Sequence, residues 1–378
     1  MNIVITQIGS ALNEGGISTF IFELSNALIR DGHKVYLVSG REVPKTEIAL
    51  KAMFDVERLP VIIPLQRSSA ETYSLKLNVE MAKELLLWSY QGSHLIRNIT
   101  PDMIIVNGII PLRSSNFKVV VCHDLERRAH EGPTVLRKLY DKALYRMFDK
   151  VVAPSTEVAK FAPNQLGIKS EKVITIPICI DTRKYTVSLH EQREHAILHV
   201  GTWIDKNLVT TVKAFCKLAK TDPELKLYVV GDLWEWPKSI LCKVKEEFSK
   251  KIYCVGKISK MELKSLYSRV KVTSVPSSYR VPVLSPTALE SLASGTPVVG
   301  GSTAISRDLL VDEYNGFTVY PTDFNALSEK IALLTRNADL WKTLSANARS
   351  SAQSFDASIV GRKYIRLHDL YANSKKID

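Results

Sequence analysis

No apolar run in this 378-residue chain approaches the roughly 20 residues that a membrane-spanning helix needs. The opening "MNIVITQIGS" has neither a basic leader nor a small-residue cleavage site ahead of its apolar stretch, so a cytosolic protein is expected. Cysteine is sparse. Cys122, Cys179, Cys216, Cys242 and Cys254 are odd in number, widely spaced and mostly set in apolar runs, which argues against a disulfide framework or a zinc site and for buried thiols. No metal-ligand spacing, low-complexity segment or short repeat stands out. A nucleic-acid recognition module and a basic-aromatic stripe are missing too, so nucleic acid is not the expected partner despite the formal charge of +12.

What is present is ordinary globular material, 45% hydrophobic and 24% charged, enough for two domains that each bury a core. Both halves are mildly basic. In the first half the excess is concentrated between Arg127 and Lys150, where seven basic residues face three acidic ones. The stretch "LRKLYDKALYRMF" places Arg137, Lys138, Lys142 and Arg146 among Leu136, Leu139, Tyr140, Leu144, Met147 and Phe148. Such a helix either packs its apolar side on a sheet or rests on an anionic membrane, and the packed reading is the expected one.

Short β-branched runs alternate with helix-length amphipathic segments: "NIVITQI", "ISTFIFELSNALIRDG", "KVYLVSG", then "DMIIVNG", "KVVVCHD" and "KVVAPS". The alternation restarts after Asp181 with "AILHVGTW", "LVTTVKAFCKLAK", "LKLYVVGD", "KIYCVGKI", "KMELKSLYSRV", "VTSVPS" and "TPVVGG". This predicts an α/β protein of two tandem Rossmann-like, doubly wound domains, residues 1–178 and 179–356. A linker is expected within "VITIPICIDTRKYTVSLHEQREHA", and a closing helix near 357–378 that crosses back to the first domain. In open parallel sheets ligands bind at the carboxyl ends of strands, which selects "GSALNEGGIST", "CHD", "GTWIDKN" and the segment before "ALESLASGTPVVGG".

Taken in order, these segments resemble the retaining nucleotide-sugar glycosyltransferases of family 4, whose architecture is the two-domain GT-B fold with an interdomain cleft. The resemblance rests on "EGGISTFIFELSNALIRDGHKVYLVSG", "HDLERR", "YRMFDKVVAPSTEVAKF", "KVITIPICIDTRKY", "VVGD", "CVGKISKMELKSLYSR" and "ALESLASGTPVVGGSTAISRDLLVDEYNGFTV". It spans roughly three hundred residues in sequence order.

The resemblance assigns roles to single positions. Gly15 and Gly16, between a strand and a helix, let the backbone approach a donor's diphosphate or sugar. His123, beside Asp124, is implied to face the donor sugar. The family's glycine-arginine pair and later lysine clamp the diphosphate; this chain keeps Gly201 and Lys206 but has Thr202 in place of the arginine. Gly256, Lys257 and Ile258 match the loop that seats the nucleobase. Glu290, expected at a helix start, is implied to bind the ribose. The family's first acid, eight positions earlier, is replaced by Pro282. Its segment is about two residues longer than usual, which puts Arg280 in the region of the missing acid.

The resulting expectation is a retaining, metal-independent glycosyltransferase without a cofactor. It would move a sugar from a nucleoside diphosphate sugar to a hydroxyl acceptor, which could be lipid-linked and met at the inner face of a membrane. The rival is a GT-B protein with impaired catalysis, acting as a sugar-nucleotide-binding or partner-binding module. Thr202 and Pro282 favour the rival; His123, Lys206 and Glu290 favour the enzyme.

Overall fold

A computed structural model describes residues 1–7, 15–39, 46–64, 79–108, 111–123, 135–279 and 281–375. The chain forms two compact units: Met1–Asp181 together with Ala357–Asp378, and Thr182–Asp356.

The first unit is built on β1 (Asn2–Gln7), β2 (Lys34–Ser39), β3 (Val61–Pro64), β4 (Met103–Asn107), β5 (Phe117–Val121), β6 (Lys150–Ala153) and β7 (Val173–Thr175), in the order β3-β2-β1-β4-β5-β6-β7. Every adjacent pair is parallel. Strands of such a sheet are covered on both faces and so read as continuous apolar runs rather than alternating ones. Ile3, Val4 and Ile5 are fully buried in succession, as are Met103 to Val106. The strand order reverses direction between β1 and β4, which places the switch point where Gln7 and Asn107 lie side by side in register.

The second unit holds β8 (Glu194–Val200), β9 (Lys226–Val230), β10 (Ile252–Gly256), β11 (Val270–Val275), β12 (Val298–Gly301) and β13 (Gly316–Val319), ordered β10-β9-β8-β11-β12-β13 and again all parallel. Its switch point falls between β8 and β11. One face of the sheet is covered by a core around Phe215, Leu227, Ile331 and Trp341. The indole of Trp341 donates to the Lys271 carbonyl at 2.6 Å, so this large ring is buried without an orphaned donor.

The division between the units falls within the segment expected to be a linker, and the first part of that segment is core. β7 completes the first sheet, Ile176, Cys179 and Ile180 are buried, and the units divide after Asp181 rather than 178. Within the second unit, Asp356 accepts from the Thr182 backbone N–H at 3.1 Å and its hydroxyl at 2.7 Å, tying that unit's two ends together. Helix Ala357–Ser374 belongs to the first unit. It packs on helix Gly16–Arg30, where a side chain at Gly361 would meet Leu28, and its Tyr371 ring lies 4.3 Å from that of Phe117.

The cysteine expectation needs correction: Cys122 and Cys179 are buried, but Cys242 and Cys254 are exposed. In helix Val135–Arg146 and the turn after it, Leu144, Tyr145 and Phe148 are buried while Leu139 is 63% exposed. The described apolar residues of this segment therefore pack mainly inward, as the globular reading expects. Among the described residues no helix is long and apolar enough to cross a membrane.

Candidate functional site

At the switch point of the first sheet, His123 follows the end of β5 and its Nε2 lies 2.9 Å from Asn107 Oδ1. An amide oxygen only accepts, so this contact puts the imidazole proton on Nε2. Asn107 is itself anchored, its Nδ2 donating to the Thr6 carbonyl at 3.3 Å, and Phe20 meets the imidazole edge-on at 5.2 Å. The ring is therefore oriented by two neighbouring elements. Gln7, in register with Asn107, is 5% exposed and its Oε1 has no hydrogen-bond partner among the described residues. A buried acceptor left unpaired costs about 1–3 kcal/mol, a deficit that a ligand hydroxyl would remove.

Gly15 caps helix Gly16–Arg30 in an extended conformation, φ 168°, that any residue can adopt. Glycine is not required there by backbone strain. A side chain at 15 would meet nothing within 4 Å, and that open space fits close approach by a ligand. Gly16 is exposed at the first helical position. Asp124 and Arg280 lie outside the described residues.

In the second unit the loop after β8 is held from beneath by His199. This fully buried imidazole contacts Thr211 Oγ1 at 2.9 Å through Nδ1 and the Gly201 carbonyl at 3.0 Å through Nε2, and Thr211 continues to Ser274 at 2.8 Å. A carbonyl can only accept, so Nε2 carries the proton and Nδ1 accepts from Thr211. Burial lowers the His199 pKa to about 4, which keeps the ring neutral. Gly201 then turns with φ +95°, a left-handed conformation, and a side chain there would press on the Lys206 stem at 3.0 Å.

Lys206 closes a short 3₁₀ turn, Ile204–Lys206. Its ammonium donates to the Tyr279 hydroxyl at 2.6 Å, and that hydroxyl donates to Asp205 Oδ2 at 2.8 Å. The next residue, Asn207, ties the turn to two other loops by donating to the carbonyls of Pro276 and Pro321. The ammonium also lies 3.8 Å from Asp205 Oδ2, a half-exposed carboxylate that an arriving anion would have to displace or share it with; with three donors it can do so. Thr202 is different. It is 3% exposed and its hydroxyl donates to the Asp232 carbonyl at 2.6 Å, so it fastens one strand-end loop to the next instead of standing in for the clamp arginine.

Glu290 is not at a helix start. Helix Pro286–Ala293 begins at Pro286, is capped by Ser285 and has no acid in its first turn; Glu290 sits one turn further in and is 5% exposed. Lys260 Nζ lies 3.4 Å from Oε1, and the Tyr267 hydroxyl donates to Oε2 at 3.1 Å. Burial, with Glu290 beside it, raises the Tyr267 pKa well above the phenol range, so Tyr267 remains a donor. A carboxylate offers about four lone-pair positions, and these two contacts do not fill them.

Around the expected nucleobase loop, Gly256 has φ +74°, Lys257 pairs with Asp232 at 2.9 Å, and Ile258 packs against the core near Leu266. Pro282 lies beside a segment pinned by neighbouring backbone: Val283 donates to Ala304 and accepts from Ser306, both at 2.9 Å. Val281 and Leu284 are buried on either side, so this loop is apolar and rigidly held.

Sequence reading did not name Gln7, Asn107, Asp205, Lys260, Tyr267 or Tyr279. Asn107 and Gln7 carried a usable signal, since both end a strand beside the switch point. Tyr279 and Tyr267 carried none, because their partners are distant in sequence.

Residues 14–184 match Glycosyltransferase Family 4 and residues 183–351 match Glycosyl transferases group 1. The chain is 21% identical to the MMP alpha-(1->4)-mannosyltransferase of Mycolicibacterium hassiacum, over 93% of each chain. Its fold is similar to sucrose-phosphate synthase from Thermosynechococcus elongatus, TM-score 0.78 at 19% identity, covering 98% of this chain and 99% of that one. It is also similar to Anabaena HepE in complex with UDP and glucose, TM-score 0.70 at 15% identity, covering 96% and 98%. Two parallel sheets with strand-end loops furnished in this way, and matches that together span nearly the whole chain, make it a member of the GT-B glycosyltransferases of family 4.

Proposed function

We propose that this glycosyltransferase moves a sugar from a nucleoside diphosphate sugar to a hydroxyl acceptor, with retention at the anomeric carbon and without a metal. The observation that carries the reading is Lys206, whose ammonium is positioned by Tyr279 at the carboxyl end of β8 and whose stem is fitted to Gly201. Negative charge grows on the diphosphate as its bond to the anomeric carbon breaks, and a fixed cation stabilises that charge without having to reorganise. The acceptor hydroxyl attacks from the face the diphosphate leaves, and its proton passes to the departing phosphate oxygen. The products are a glycoside and a nucleoside diphosphate. His123, oriented by Asn107, and the unpaired Gln7 oxygen would receive sugar hydroxyls. Glu290 would accept from the ribose, with the 3.4 Å Lys260 contact giving way. The likeness to HepE holding UDP and glucose supports this donor class.

A lipid-linked acceptor belongs to the same proposal, supported by the basic residues around Lys142 and Arg146. The rival reading, a module that binds donor without turnover, is favoured by one observation: the Thr202 hydroxyl is already spent on Asp232. A panel of nucleoside diphosphate sugars incubated with the protein, followed by mass spectrometry, separates the two. Release of a nucleoside diphosphate, through slow hydrolysis even without acceptor, supports the enzyme. Saturable donor binding with no release supports the module. Anomeric coupling constants of the product test retention.

A further inference from the structure

The edge of the first sheet opposite His123 carries a second concentration of charge. Lys150 begins β6 and Lys172 immediately precedes β7, so both stand at the amino ends of strands whose carboxyl ends face the switch-point side. A four-residue strand spans about 13 Å, which separates this edge from the candidate active site. Here a cavity of about 780 Å³ opens between the end of helix Val135–Arg146, the start of β6 and the turn after helix Thr156–Leu166. That volume lies within the range of small-ligand pockets.

Five cationic side chains line it, Lys142, Arg146, Lys150, Lys169 and Lys172. Among the described lining residues two carboxylates oppose them. Asp149 already accepts from the Lys118 backbone N–H at 2.8 Å, and Glu171 pairs with Lys169 at 3.3 Å out in solvent. Two of the cations are held by the fold: Lys172 donates to the Arg146 carbonyl and Lys150 to the Glu171 carbonyl, each at 2.9 Å. An ammonium fixed by one carbonyl keeps two donors for another acceptor. Lys142 is placed by Gly167, which adopts φ +62° and where a side chain would press on the Lys142 stem at 3.2 Å. Among the described residues neither Lys142 nor Arg146 forms an ion pair.

We propose that this pocket is a binding site for a phosphate group, separate from the site of glycosyl transfer. Uncompensated like charges repel within a few ångströms, and a multiply charged anion with several acceptor oxygens is the ligand that turns this repulsion into attraction. The crowding registers at Lys172, whose pKa is lowered chiefly by burial and, against the opposing pull of Asp149, by Lys118, Arg146 and Lys150. A helix C-terminus accounts for one cation, Arg146 in the last turn, but not for the remaining four. The phosphate has two possible sources, a soluble phosphate compound or the headgroup of an anionic lipid.

The test uses the full chain carrying Lys206→Ala, which weakens the diphosphate site, with and without Lys142→Glu and Arg146→Glu. One arm titrates inorganic pyrophosphate by calorimetry. The other sediments the protein with phosphatidylcholine vesicles that contain or lack phosphatidic acid. The expected result is binding in at least one arm, weakened about thirty-fold by the paired reversal and reduced by salt. Pyrophosphate binding points to a soluble ligand; binding only to vesicles with phosphatidic acid points to a headgroup. No binding in either arm, or binding that the paired reversal leaves unchanged, overturns the site. Should the reversed chain fail to fold by circular dichroism, Lys142→Ala with Arg146→Ala answers the same question.

Discussion

Arg193 and Glu290 are buried charges of the same unit, both 5% exposed, and they are satisfied in opposite ways. The Arg193 guanidinium donates to the carbonyls of Ser188, Tyr267, Val270 and Ser294 and to the Thr296 hydroxyl, and it lies 4.7 Å from the centre of the Trp341 ring. Its donors are spent mainly on backbone carbonyls. Burial nevertheless lowers its pKa to about 10, still far above neutrality. Glu290 has one phenol at 3.1 Å and one ammonium at 3.4 Å, and capacity to spare. The difference separates a charge that organises a fold from one that can receive a ligand, and burial alone would not have told them apart. His199 sides with Arg193, since both ring nitrogens are engaged; Lys206 sides with Glu290.

The comparison breaks most visibly at Arg193. Arg193→Met leaves several carbonyls unpaired and should cost about 4 kcal/mol of stability in urea unfolding, while the remaining folded protein binds nucleoside diphosphate normally. An affinity loss without a stability loss would erase the distinction. Lys206→Ala should do the reverse, lowering kcat by about 10²–10³ with an unchanged unfolding curve, because it removes a charge needed as the diphosphate departs.

His199 sharpens the contrast through pH. Its folded pKa of about 4 lies below the ordinary 6.5, so the unfolded chain binds the extra proton between those values and stability falls as pH drops through that window. The loss approaches about 3 kcal/mol near pH 4, and His199→Gln should flatten this part of the stability-pH curve.

Glu290→Ala should weaken nucleoside diphosphate binding by about 1–3 kcal/mol in calorimetry, with folding retained, through lost hydrogen bonds to ribose. If the only change is a stability loss, Glu290 joins Arg193 as a structural charge. The smallest effect is expected from Arg280→Ala, a few-fold weaker diphosphate affinity of about 0.5–1 kcal/mol if Arg280 supplies part of the phosphate contact absent at Thr202. Unchanged affinity there would favour the binding-module reading.

Strand and helix positions around both switch points were legible because fully buried parallel strands leave uninterrupted apolar runs such as "IVIT" and "MIIV". β3, which ends on Pro64, and β13, which starts on Gly316, were not read, whereas the equally short β6 and β12 were. Motif position located Lys206 and Glu290 but not how they are held. The partners Tyr279 and Tyr267 are 73 and 23 residues away, and no local pattern encodes such contacts. Glu290 was also misplaced along its helix, because "SPTALE" reads as a start only when Ser285 is recognised as the cap.

The return of helix Ala357–Ser374 to the first unit has a consequence for the order of synthesis. Thr182–Asp356 is one uninterrupted stretch with its ends joined through Thr182 and Asp356, so its internal contacts do not depend on the last helix. The first unit emerges earlier but keeps Leu24 and Leu28 partly uncovered until Val360, Gly361 and Tyr364 arrive. Chains that fold during translation generally complete domains as they emerge. Here the half made first is finished last, and a released chain that ends after Asp356 would carry a completed second half joined to a first half that still exposes an apolar seam.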